Sequence, residues 1–245
     1  MKRVLTTCVI AMVAVLAAVG PTRIASAETV TLEAIADHYG KIDDATNVQT
    51  GNGDGSTLLI KNASANSRKG WVRFDLSAYS SDVIGGGTFR FRQDNITTNY
   101  TGTFGIWALK AGFVPGSGVL DVDWDEDLLT WNNAPGNSLT SKNSFDTADA
   151  TKIGTINFNT GTQNTGHLYS ISIADLTPYL QSSNMSITMM IGADAQSSDS
   201  PGFNISSSES PDRAGPELVV SLIPEPASLG VLGVMMAGVL MRRRR

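Results

Sequence analysis

Cysteine is almost absent from this chain: Cys8 is the only one in 245 residues, so no intrachain disulfide can form. Histidine is nearly as scarce, with only His38 and His167, which leaves few groups that titrate near neutrality or bind softer metals. The GxSxG, HExxH, P-loop and dinucleotide fingerprints are missing, and with them the signatures of several common nucleophilic, zinc-hydrolytic and nucleotide-dependent chemistries. Apart from the two ends, no stretch sustains apolar residues at i, i+3, i+4 and i+7, which excludes long amphipathic helices as the main scaffold.

The ends are what the chain does have. Lys2 and Arg3 precede an apolar stretch over residues 4–19, and Ala25-Ser26-Ala27 supplies the small-x-small pattern of a cleavage site, so residues 1–27 read as a signal peptide removed by signal peptidase after Ala27. Cys8 would leave with it. At the other end Pro224-Glu225-Pro226 introduces an apolar run over residues 227–241, closed by Arg242, Arg243, Arg244 and Arg245. At about 1.5 Å per residue that run reaches about 22 Å as a helix, short of the about 20 residues that cross a bilayer comfortably. The four arginines suit a cytoplasmic anchor.

This triplet, short apolar helix and arginine cluster, behind an N-terminal signal peptide, resemble the PEP-CTERM sorting signal of Gram-negative bacteria that make exopolysaccharide. The resemblance covers residues 224–245. It implies an exosortase as partner, a transmembrane sorting helix held transiently in the inner membrane, cleavage near Pro224, Glu225 and Pro226, and delivery to the cell surface or extracellular matrix. The alternative is a plain C-terminal anchor in which the triplet is chance.

Seven of the 18 basic residues sit in the two ends, Lys2, Arg3, Arg23 and the four terminal arginines, against Glu225 alone of the 23 acidic ones. The body over residues 28–223 therefore keeps 11 basic and 22 acidic residues, a net charge of −11. Such a surface repels phosphate backbones, so nucleic acid is excluded as a partner.

The body has the size of one domain. In GWVRFDLS, Val72, Phe74 and Leu76 alternate with Trp71, Arg73 and Asp75, and in TFRFRQ, Phe89 and Phe91 alternate with Arg90 and Arg92, as half-buried strands do. Further strands are expected over residues 57–61, 103–109, 152–158, 167–173, 186–191 and 217–222. Residues 84–87, Ile-Gly-Gly-Gly, read as a turn, and a one-turn helix entered through Pro178 is expected near residues 173–180. Short strands between turn-rich segments predict an all-β fold, a two-sheet jelly-roll sandwich, with Val72, Phe74, Leu76, Phe89, Phe91, Trp131 and Val219 buried.

The blocks IADHYG, GWVRFDLSAY, GGTFRFR, WDEDLLTWNNAP and SSSESPDRAGPELVVS resemble those of DNRLRE-type domains, also known as family-96 carbohydrate-binding modules. The likeness spreads over about residues 34–222 and is most specific at Trp124-x-Glu126 and residues 130–135. It implies a secreted β jelly roll, with some members binding acidic polysaccharide such as alginate. The loops here are richer in Gly, Thr and Asn than the family pattern, and no stretch of the given sequence reads as a catalytic domain beside it.

Sugar rings stack on flat aromatics. The family blocks imply packing roles for Trp124 and Trp131, and Trp107 reads equally as core or surface. Strand phase sets Trp71 and Arg73 on one face, and if the strands are neighbours Arg90 and Arg92 join them, a site for an anionic sugar because guanidinium pairs with carboxylate. The alternative is a solvated face whose arginines pair with Asp75 and Asp94. Asp121, Asp123 and Asp125 have D-x-D-x-D spacing, and Asn52 and Asp54 lie in a second oxygen-rich turn; Ca²⁺ is the candidate ion at either, although the EF-hand Gly and Glu are replaced by Glu126 and Asn132. A glycosidase needs two facing carboxylates, for which Glu126 with an Asp from another loop is the conceivable pair; the block position points instead to a structural Glu126. The reading is a non-catalytic, surface-sorted protein that binds acidic exopolysaccharide, with a purely structural matrix protein, and then a polysaccharide lyase or hydrolase, as alternatives.

Overall fold

Side-chain alternation does organise this chain into strands. A computed structural model describes residues 27–49, 56–63, 65–94, 101–159, 165–194 and 202–223; the expected signal segment up to residue 26, the turn residues Asn52 and Asp54, and the expected sorting segment 224–245 lie outside them. Thr29–Leu222 form one compact unit. A four-stranded sheet runs in the order β1–β11–β5–β8, with β1 Glu28–Glu33, β5 Val83–Arg92, β8 Leu168–Ile173 and β11 Glu217–Ile223. The second sheet runs β10–β3–β4–β9–β6–β7, with β2 also paired to β4. Its strands are β2 Ala36–Lys41, β3 Thr57–Lys61, β4 Arg68–Asp75, β6 Thr101–Leu109, β7 Ala150–Asn159, β9 Ser186–Ala193 and β10 Gly202–Ser206. The fold is an all-β, two-sheet sandwich.

Between the sheets lies the main core. Val72, Phe74 and Leu76 from the β4 segment meet Phe89 and Phe91 of β5, and all five are fully buried. Phe74 and Phe89 cross the layers edge to face at 6.0 Å between centroids. Each such side chain contributes about 1.5–3 kcal/mol through burial. Val219 departs from expectation: β11 buries Leu218, Val220 and Leu222, leaving Val219 half-exposed on the outer face. In a run of consecutive aliphatics the phase of alternation is undetermined, and here it falls one residue away.

Residues 84–87 are not a turn but part of β5. Their glycines reflect crowding rather than chain reversal. A Cβ on Gly86 would sit 2.6 Å from the Ala174 carbonyl oxygen, and one on Gly87 2.6 Å from that of Val219, so only glycine fits in the strand there.

Every residue of β9, SITMMIGA, is buried, because a second apolar layer covers the far side of the large sheet. Trp71 of β4, Met190 of β9 and Trp107 of β6 stand in register as one row on that far face. The long connection from β6 to β7, residues 110–149, folds over the row with Val122, Trp124, Leu129, Ala134 and Phe145. Regular helix among the described residues is limited to 3-10 turns, including the expected one at Thr177–Tyr179 with Pro178 in its first turn. No helix among them is long and apolar enough to cross a membrane.

Candidate functional site

Lys69, Trp71 and Arg73 occupy successive outward positions of β4, yet outward here does not mean wet. Trp71 is 0% exposed: its indole N–H donates to the Pro135 carbonyl at 2.9 Å, and its ring meets Phe145 edge-on. It cannot stack a sugar, which corrects the expectation for this residue. Trp107, Trp124 and Trp131 are buried as well. Arg73 lies against the Trp124 ring, 5.8 Å from its centroid. Burial pushes its pKa down while the charges of Asp123, Asp75, Asp125 and Glu126 push it back up. It serves as a counter-charge to the acidic segment over residues 121–127.

Beside them Lys69 is also fully buried. Its ammonium donates to Asn137 Oδ1 at 2.9 Å and to the carbonyls of Ser141 and Ser144 at 2.9 and 2.6 Å, and it lies 4.4 Å from the Trp131 ring centroid. Burial pushes its pKa down to about 7; the oxygen acceptors and the ring face act against that push. Sequence pattern alone does not mark this lysine as buried; its position two residues before Trp71 on β4 sets it on the same face.

The expected calcium turn is not a cage. Asp121 Oδ1 accepts the Val122 N–H and Asp125 Oδ1 the Asp127 N–H, so both cap local backbone, and Asp123 faces the Arg73 charge. Among the described residues no three His, Cys, Asp or Glu side chains stand together as a metal-holding group.

Arg90 and Arg92 belong to the other sheet, so the four residues grouped by sequence are divided between opposite sides of the sandwich. Their phase was right: Phe89 and Phe91 point in, Arg90 and Arg92 out. Gly86, Thr88, Arg90 and Arg92 are the successive outward positions of β5. Opposite Thr88 and Arg90 on β8 stand Ser172 and Ser170. At the glycine end the absence of side chains leaves a shallow groove of about 310 Å³, with Thr29, Thr88, Val219 and Ser221 among its lining residues. None of the ion pairs among the described residues includes Arg90 or Arg92; Asp94, the expected partner, is held by Arg213, and Asp75 instead accepts the Ser77 N–H. The face thus offers hydroxyls around a groove and, beside it, two guanidinium groups outside every ion pair of the described residues.

Comparison with known proteins adds the family. The family model described as "Carbohydrate-binding module family 96" matches residues 28–222. The chain belongs to this family. No curated protein matches it in sequence. Among solved structures, peanut lectin with the 9mer peptide PVIWSSATG overlaps 80% of this chain and 99% of its own, at 14% identity and a TM-score of 0.22, too low to bear on fold or ligand. The family-96 match makes residues 28–222 a carbohydrate-binding-module-like domain, from a class of binding modules rather than of catalytic domains. In this family-96 domain the face along β5 combines a groove with two arginines that have no ion-pair partner among the described residues, and no Phe, Tyr or Trp is among the exposed large apolar side chains of those residues.

Proposed function

We propose that this protein binds an acidic extracellular polysaccharide along β5, with sugar rings over the Gly86–Thr88 groove and uronate carboxylates on Arg90 and Arg92. The observation that carries this reading is the pair of guanidinium groups on one hydroxyl-rich face with no acidic partner among the described residues. Two residues of strand separate them by about 6.6 Å, and each can pair bidentately with a carboxylate. The body carries net charge −11, so an anionic chain is held only where a local cationic patch offsets the overall repulsion. Affinity is therefore modest, as expected for a shallow face.

The domain reaches its polymer by export, with signal peptidase acting after Ala27 and an exosortase acting near Pro224, Glu225 and Pro226 after transient anchoring in the inner membrane. These steps rest on the terminal motifs.

Affinity electrophoresis through gels containing alginate, pectin or the neutral polymer xylan tests the reading. Retardation by the two uronic acid polymers but not by xylan is expected. Retardation by xylan alone would overturn the role of the arginines. A second reading, a structural matrix protein that binds no sugar, draws on the burial of all four tryptophans, and failure of every polymer to retard the protein would favour it.

A further inference from the structure

Asp37 lies on β2, opposite Val72 of β4, and is only 3% exposed. Such a carboxylate needs partners for both oxygens. Oδ2 has one, the Ser208 N–H at 2.7 Å. Oδ1 is buried with no hydrogen-bond partner. Two further carboxylates come to the same place from distant parts of the chain. Glu126 Oε2 accepts the Asp37 backbone N–H at 3.1 Å, and Glu209 Oε1 accepts the Ser208 hydroxyl at 2.6 Å. A buried acid beside two acids is electrostatically costly unless a positive charge joins them, and the charges that act on Asp37, those of Glu209 and Glu126, are both negative.

We propose that Asp37, Glu126 and Glu209 form the binding site of a hard divalent cation of the calcium class, anchored at Asp37 Oδ1. The donors are all oxygens, which suits Ca²⁺ over zinc or copper; the nearby His38 is engaged, its Nε2 accepting the Gln49 N–H at 3.2 Å. Among the described residues no three such side chains already stand together as a metal-holding group, so the ion itself must draw Glu126 and Glu209 in. Glu209 is exposed and Glu126 half-buried, so both can turn toward an ion on Asp37, and water and main-chain oxygens complete a calcium shell. The ion would tie β2, the turn Glu126–Leu128 and the segment after β10 together. This site is distinct from the Asp121, Asp123 and Asp125 turn, whose members cap backbone or face Arg73.

Thermal melting of the purified full-length chain in CaCl₂, in MgCl₂ and in excess EDTA decides the matter. Calcium should raise the wild-type Tm by roughly 5 to 10 °C at a hundredfold excess over its dissociation constant, more than magnesium does. Asp37→Asn and Glu209→Gln should each abolish most of that shift. Glu209 is at the surface, so its variant decides the question even if Asp37→Asn does not fold. A wild-type Tm identical in calcium and EDTA, or a calcium shift kept in full by Glu209→Gln and by any folded Asp37→Asn, would overturn the proposal.

Discussion

The indole N–H of Trp71 donates to the carbonyl of Pro135 at 2.9 Å, joining β4 to a connection that lies 64 residues away in the chain. That single bond marks the difference between a surface tryptophan and a core one. Replacing Trp71 with Ala should cost about 3–5 kcal/mol, because a large cavity opens in the second apolar layer and the Pro135 carbonyl loses its donor. Urea unfolding measures it. A loss under about 1 kcal/mol would mean that the 110–149 connection does not seal this face.

Lys69 offers a pH test of the same layer. Its folded pKa, lowered by burial from an ordinary 10.5 to about 7, lies below the unfolded value. The unfolded chain therefore holds more protons between those limits, and the Lys69 contribution to stability rises with pH across that window. The slope is at most about 1.4 kcal/mol per pH unit. Urea midpoints at pH 7.5 and 9.5 should rise more in the wild type than in Lys69→Met. Equal rises would mean that the carbonyls of Ser141 and Ser144 and the Trp131 ring hold the ammonium charged in the fold.

Crowding at the β5 glycines gives a third expectation. Gly87→Ala places a Cβ 2.6 Å from the Val219 carbonyl oxygen and 2.8 Å from Leu176, so a loss of about 1–3 kcal/mol should follow. Gly116→Ala meets nothing closer than 4.0 Å and should stay within about 0.5 kcal/mol of wild type. Equal effects in the two variants would show that β5 can move away from β11.

Much of this architecture is legible in local alternation. Val72, Phe74, Phe89 and Phe91 announce their strands and their inward phase because polar residues separate them. Alternation reports a face, however, and not what covers it. Alternation sets Trp71 opposite Val72, but it does not reveal that Trp71 is covered, since the cover comes from a segment without any period of its own. Which strands are neighbours is equally invisible locally: β4 and β5 follow one another in sequence and belong to different sheets, which separates Arg73 from Arg90 and Arg92. Asp37 and Glu126 each stand in a block that resembles the family, but only the fold shows Glu126 accepting the Asp37 backbone N–H and Asp37 accepting the Ser208 N–H.

The most direct measurement is the dissociation constant of a short oligouronate for the wild type and for the double variant Arg90→Ala, Arg92→Ala. A charge-assisted hydrogen bond is worth about 1.5–3 kcal/mol, so the double variant should bind at least about tenfold more weakly, with an unchanged urea midpoint because neither arginine has an ion-pair partner to lose among the described residues. Equal affinities for the two proteins would contradict the assignment of the β5 face as the sugar site.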